Sequence, residues 1–385
     1  MPVDLVDRVR RRLASAGGPT DVSASVVAGA VRDEAGGVVG HADVLTALTL
    51  LRQEFVGAGP LDPLLRDPTT TDILVTAPDQ VWVDNTAGLR RTTIRFADED
   101  TVRRLAQRLA MSAGRRLDDA LPYVDGWLPA ASGGHVRLHA VLPPISDHTC
   151  LSLRVLRPAS HGLADLHALG TFPEEIHHLL TAIVHARLAF LVTGGTGSGK
   201  TTLLSALLGE VPHHERVIGV EDVAELQPAH PQYIRLTTRS PNIEGAGEVS
   251  PETLVRQALR MRPDRIVVGE LRGAEVAPLL TALNTGHDGG AGTVHANSPT
   301  ELPARLEALG ALAQLTPGAL HSQLAAAIHL VLHLHRTPTR TLTHIGLLSR
   351  TPTGVSVVPL WANGTWTSHR PALTALLRAR GVAHP

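Results

Sequence analysis

Gly194-Gly195-Thr196-Gly197-Ser198-Gly199-Lys200-Thr201 fits the pattern GxxxxGK[ST], and its setting decides the fold. An apolar, strand-like run, Leu188–Thr193, leads into it, and a helical pattern, Thr201–Leu208, leads out. Glycine at four of these positions lets the backbone curl so that successive N–H groups converge on a phosphate, and the positive end of the following helix adds to the attraction. In such a loop Lys200 reaches the β- and γ-phosphates and the Thr201 hydroxyl ligates Mg²⁺. Gly194, Gly195, Thr196, Gly197, Ser198, Gly199, Lys200, Thr201 and Thr202 are therefore the expected nucleotide contacts, with ATP and Mg²⁺ as the expected cofactors.

Lys200 stands out for a second reason. Of the 35 basic residues it is the only lysine, which leaves 34 arginines. A GC-rich genome explains the replacement of surface lysines but not the exception. A compact ammonium with three donors on a flexible stem does what a broad planar guanidinium does poorly.

The remaining composition narrows the classes. The chain has 385 residues, 43% hydrophobic and 18% charged, with a formal charge of −1, so it has ample core for two domains and is neither disordered nor polybasic. Aromatic residues make up only 3%. No basic stripe interleaved with aromatics is available as a nucleic-acid track, so direct nucleic-acid binding is not expected. The single cysteine, Cys150, excludes an intrachain disulfide framework and a cysteine zinc site. The first residues lack the apolar core of a signal peptide. The longest uncharged stretch, 308–335, is broken by Gln, Pro and His, so it is not expected to span a bilayer.

Hydrolysis also needs carboxylates where the strands of the sheet end. Arg265-Ile266-Val267-Val268-Gly269-Glu270 looks like a metal-binding strand in which Gly269 replaces the usual aspartate, leaving Glu270 to activate the attacking water. Val217-Ile218-Gly219-Val220-Glu221-Asp222 ends in acids too. Glu221 is expected to bind Mg²⁺ directly or through water, with Asp222 or Glu225 sharing the role.

Apolar runs alternate with helical patterns after residue 165, which argues for a mostly parallel sheet flanked by helices. The expected organisation is an N-terminal helical segment (1–56), a small α+β domain (57–157), a linker (158–165) and an α/β P-loop domain with a C-terminal extension (166–385). Within the α+β domain, strand-like runs flank a turn at Pro78-Asp79, and 98–112 has helical spacing.

The phosphate loop, Val220-Glu221-Asp222-Val223-Ala224-Glu225-Leu226, Pro241-Asn242-Ile243-Glu244-Gly245-Ala246-Gly247-Glu248, Leu259-Arg260-Met261-Arg262-Pro263-Asp264-Arg265, Gly269-Glu270-Leu271-Arg272-Gly273 and Asn284-Thr285-Gly286-His287-Asp288-Gly289 through His295-Ala296-Asn297-Ser298-Pro299 resemble, in that order, the type II/type IV secretion ATPases. The likeness covers about residues 57–335 and is greatest to the tight-adherence (Flp-type) pilus assembly branch. It implies a RecA-like P-loop ATPase with a smaller N-terminal α+β domain, acting as a homo-hexameric motor for pilus assembly or secretion. It also implies a peripheral position at the cytoplasmic face of the inner (plasma) membrane, docked on a polytopic membrane platform protein. His287 and His295 would sense the γ-phosphate. Arg235 and Arg239, and more weakly Arg154, are candidate arginine fingers, because guanidinium presents a planar fork to phosphate oxygens. Two other readings are weighed: a RecA-like ATPase for conjugal DNA transfer or DNA translocation, and a nucleotide-gated scaffold without turnover. His329 and His333 stand four apart, but no carboxylate or thiol accompanies them, so buried structural histidines are the better reading.

Overall fold

The computed structural model describes residues 8–9, 29–31, 33–34, 57–85, 87–129, 134–156, 161–239, 241, 245–336 and 339–382. The chain forms two compact units, Met1–Arg157 and Pro158–Pro385. Most of the expected N-terminal helical segment, and residues 158–160 of the expected linker, lie outside the described residues. A helix, Leu163–Ala168, already begins within the stretch expected as linker.

The first unit is an antiparallel sheet of β1 (Asp72–Ala77), β2 (Gln80–Asp84), β3 (Arg90–Arg91), β4 (Tyr123–Pro129), β5 (His135–Val141) and β6 (Cys150–Leu156), in the order β3-β2-β1-β6-β5-β4. Burial alternates along β4, β5 and β6, as it must where one face is packed and the other wet. The packed face receives the helix Glu99–Ser112, which begins where the Asp98 carboxylate accepts the Thr101 N–H at 2.8 Å. Val102, Leu105 and Leu109 of that helix enclose Ile73, Leu138 and Leu153.

The second unit is built on nine strands: β7 (Phe190–Gly194), β8 (Val217–Glu221), β9 (Tyr233–Thr237), β10 (Arg265–Val268), β11 (Ala291–His295), β12 (Leu330–Arg336), β13 (Arg340–Thr351), β14 (Gly354–Ala362) and β15 (Thr365–Trp366). Their order is β15-β14-β13-β12-β7-β11-β10-β8-β9. The run from β12 to β9 is parallel, and β13 to β15 extend it antiparallel. Parallel strands covered on both faces read as continuous apolar runs, which is why β7, β8 and β10 are buried at every position. Alternate residues point to opposite faces. Phe190 and Val192 join a core with Leu179 and Leu204, whereas Ala189 and Leu191 join another with Val255, Leu280 and Leu306.

All six parallel strands run the same way, so β7, β8, β10 and β11 deliver Gly194, Glu221, Gly269-Glu270 and His295 to one edge of the sheet. The opposite edge is fastened by a buried ion-pair cluster. Arg265, 1% exposed, donates to Glu215 at 2.7 Å, and Arg187 shares that carboxylate at 3.2 Å. The two guanidinium groups hold the Glu215 pKa below the usual carboxylate range against the opposing effect of burial.

Candidate functional site

The phosphate loop joins β7 to the helix Lys200–Gly209. Gly194, Gly197 and Gly199 have φ of 149°, 70° and 94°, a region that side chains disfavour. A Cβ on Gly194 would stand 2.4 Å from the Leu334 carbonyl oxygen and 2.6 Å from Ser198 Oγ, so only glycine fits there. Lys200 Nζ donates to the carbonyls of Gly194 and Gly195 at 3.0 and 2.9 Å. Burial draws the Lys200 pKa below that of an ordinary lysine, and the nearby charge of Glu270 opposes the shift. Ser198 is 2% exposed and its hydroxyl has no hydrogen-bond partner among the described residues. Curled backbone, ammonium and unused hydroxyl together suit a bound phosphate.

Glu221, buried at the end of β8, is spoken for. One oxygen accepts the backbone N–H groups of Glu225 and Leu226 at 2.9 and 2.8 Å, and the other accepts from Tyr233 Oη and Arg235 Nε, both at 3.1 Å. Burial, with the charge of Glu221 beside it, pushes the Tyr233 hydroxyl far above its usual pKa, so it stays a donor. This corrects the expectation that Glu221 serves the metal: four donors saturate its lone pairs. Gly269 is explained by the same residue, because a Cβ there would lie 3.0 Å from Glu221 Cγ. The aspartate usual at that position is displaced by the stem of Glu221.

Glu225, not Glu221, meets the loop threonine. Thr201 Oγ1 donates to Glu225 Oε2 at 3.3 Å. Burial, and then the charge of Glu221, raises the Glu225 pKa, so a cation beside it is favoured. Glu270 follows β10 and is paired with Arg272 at 2.5 Å. Arg272 also approaches Asp222 at 3.7 Å, while burial raises the Asp222 pKa. His295 ends β11 directly beside Gly194 in the sheet register. The structure therefore gathers Lys200, Thr201, Glu225, Glu270 and His295 at one edge. Thr202 lies in the first turn of the loop's helix, half-buried.

Four expected residues fall outside that group. Arg235 is committed within its own subunit, since besides Glu221 it donates to the Leu226 carbonyl; it is a strut, not a finger. His287 precedes β11, so it stands at the opposite edge of the parallel sheet, a strand's length of roughly 15 Å from His295, with Nδ1 3.2 Å from the Ala282 carbonyl. Arg154 is paired with Asp72 at 2.8 Å in the first unit. Arg239, just beyond β9, is exposed and donates from Nε to the Gly247 carbonyl at 2.6 Å.

The spaced histidines are structural. His329 Nδ1 accepts the Ala189 N–H at 3.1 Å, and His333, 3% exposed, sits with Nδ1 2.9 Å from Thr193 Oγ1. Burial, reinforced by His344 and His335, pushes the His333 pKa down to about 4. Among the described residues no group of three or more His, Cys, Asp or Glu is arranged to hold a metal.

Residues 54–353 match the family described as "Type II/IV secretion system protein". The chain belongs to that family. A Mycobacterium tuberculosis protein named for conjugal transfer is 58% identical over 90% of this chain and 100% of its own length. TrbB of Sinorhizobium fredii, also named for conjugal transfer, is 32% identical over 69% of this chain and 77% of its own. The pilus retraction motor PilT, solved with ADP, superposes with a TM-score of 0.51 at 22% identity, covering 81% of this chain and 84% of PilT, and so shares the fold. This secretion ATPase carries its phosphate loop and parallel sheet in the second unit, Pro158–Pro385. Two contacts of its site, Arg272 with Glu270 and Glu225 with Thr201, carry little signal in the sequence. Arg272 is one arginine among 34, and the contact of Glu225 with Thr201 depends on a turn after β8 that no periodicity reveals.

Proposed function

We propose that the protein is a homo-hexameric motor that hydrolyses MgATP to ADP and phosphate and powers a pilus or secretion machine at the cytoplasmic face of the inner (plasma) membrane. The carrying observation is that the only lysine of the chain lies in the phosphate loop with Glu225 and Glu270 close around it. The residues suit a magnesium nucleotide: Thr201 and Glu225 would hold the ion, which would neutralise developing charge on the phosphates. Lys200 binds and orients the polyphosphate, Glu270 orients water under the restraint of Arg272, and His295, beside the loop, reads the terminal phosphate. Arg239, exposed just beyond β9, is the arginine finger we propose toward a neighbouring subunit.

A polytopic membrane protein is the proposed platform, and membrane association runs through it. No helix among the described residues is long and apolar enough to cross a membrane. The tight-adherence branch is proposed on the motif order alone, whereas the names of two relatives favour a second reading, ATP-driven conjugal transfer. Steady-state assays decide the core of the proposal. Mg²⁺-dependent phosphate release is expected, lost in Lys200→Ala and reduced on the order of 10²-fold or more in Lys200→Arg. Full activity in Lys200→Ala would overturn the reading. Stimulation by DNA, in place of stimulation by a membrane platform, would favour the conjugal alternative.

A further inference from the structure

A pair of arginines overlies the phosphate loop from a part of the fold that none of the family motifs covers. β12 runs beside β7 with Leu334 opposite Gly194, so its last residue, Arg336, continues over the loop. The chain returns in β13 at Arg340, which is the direct cross-strand partner of Arg336. Arg340 donates from Nε to the Gly197 carbonyl at 3.0 Å. A Cβ on Gly197 would lie 3.0 Å from Arg336 Nη1, and one on Gly199 would lie 3.2 Å from Arg340 Cδ. The Arg336 guanidinium and the Arg340 stem therefore lie close against the loop, where its glycines leave room for them.

Like charges directly opposite one another on an antiparallel pair are unfavourable. A hairpin that places two arginines in that register against a loop shaped for phosphate brings two positive charges to where a polyanion would bind. We propose that Arg336 and Arg340 form a clip, supplied by the same subunit, that fastens the phosphate loop and contributes positive charge to the polyphosphate of the bound nucleotide. Arg340 is a positioning residue, because its hydrogen bond fixes the Gly197 peptide and thereby the direction of the neighbouring N–H groups. The clip rests on the nucleotide reading of the site but is separable from it.

The test compares wild type, Arg336→Gln, Arg340→Gln, Arg340→Lys and Lys200→Ala in the full chain, by titration with MgATP and MgADP and by thermal unfolding. Arg340→Gln should weaken MgATP binding about tenfold, equivalent to about 1.4 kcal/mol, and MgADP binding less. Arg340→Lys should recover part of the affinity. Arg336→Gln should lose part of the thermal stabilisation that MgATP confers on wild type. A lowered nucleotide-free melting temperature in Arg336→Gln with undiminished stabilisation by MgATP would make the residue a fold support and overturn the clip. Unchanged MgATP affinity in Arg340→Gln, with binding lost in Lys200→Ala, would overturn the clip and leave the nucleotide site standing. Undiminished binding in Lys200→Ala would overturn the nucleotide site itself.

Discussion

Glu221 and Arg235 form an ion pair of 3.1 Å, with 2% of the glutamate side chain and 29% of the arginine side chain exposed. The pair joins the end of β8 to the middle of β9 and removes both residues from the roles that their positions in the sequence suggest. Removing the arginine leaves a buried carboxylate with three neutral donors in place of a charge. Because the arginine is partly exposed, the cost lies at or below the range for buried pairs, about 3–5 kcal/mol.

Arg235→Ala should therefore lower the midpoint of chemical unfolding. Its lost turnover should not return when it is mixed with Lys200→Ala subunits, because no neighbour can supply the missing strut. Arg239→Ala mixed with Lys200→Ala should recover part of the activity if Arg239 reaches the adjacent site. Recovery in the Arg235 mixture would contradict its assignment as a residue acting within one subunit.

Glu270→Gln should bind MgATP within a few-fold of wild type and hydrolyse it slower by on the order of 10²–10⁴, the range for loss of a general base. Single-turnover phosphate release separates this from a binding defect. Loss of MgATP binding would instead make Glu270 a metal residue.

Gly269→Asp reinstates the carboxylate usual in metal-binding strands, yet it should damage this protein. The new Cβ meets Glu221 Cγ at 3.0 Å, and a second carboxylate arrives beside a buried one. Overpacking alone costs about 1–3 kcal/mol. A lower melting temperature is expected; an unchanged one with faster turnover would mean that the strand end accommodates both acids.

Stability should fall on acidification through the histidines of the sheet. His333 has a folded pKa pushed down to about 4, against 6.5 as the ordinary value, and burial shifts His329 and His344 the same way. A depressed histidine pKa means that the unfolded chain binds the extra proton first. The His333 contribution is complete above pH 6.5 and is lost as pH falls toward 4. Each tenfold difference in proton affinity between the unfolded and folded chain corresponds to about 1.4 kcal/mol. Unfolding free energies measured between pH 7.5 and 4.5 should slope less in His333→Gln than in wild type; equal slopes would exclude His333 as the titrating group.

The sequence exposes the parts of this structure that have a local cause. The loop from Gly194 to Thr201, the apolar β7, β8 and β10, and the helix capped by Asp98 follow from motif, burial pattern and capping chemistry within a few residues. What escapes it is decided by register across the sheet. Glu221 and Glu225 are both acids near the end of β8, and only the placement of Tyr233 and Arg235 on β9 tells which is saturated and which meets Thr201. His287 and His295 lie eight positions apart in one motif, yet an intervening strand sends them to opposite edges. The arginine hairpin is invisible in the sequence because its partner, Gly197, lies 143 positions from Arg340.

The phosphate-loop lysine has a practical consequence. Apart from the α-amino group, Lys200 is the only primary amine in the 385 residues, and burial makes it a weaker base than an exposed lysine. A larger share of it is unprotonated, and hence nucleophilic, at neutral pH. An amine-directed reagent such as an acyl phosphate therefore has one side-chain target in the whole chain, and peptide mass spectrometry of the Lys200 adduct becomes a direct gauge of how much of the site is occupied.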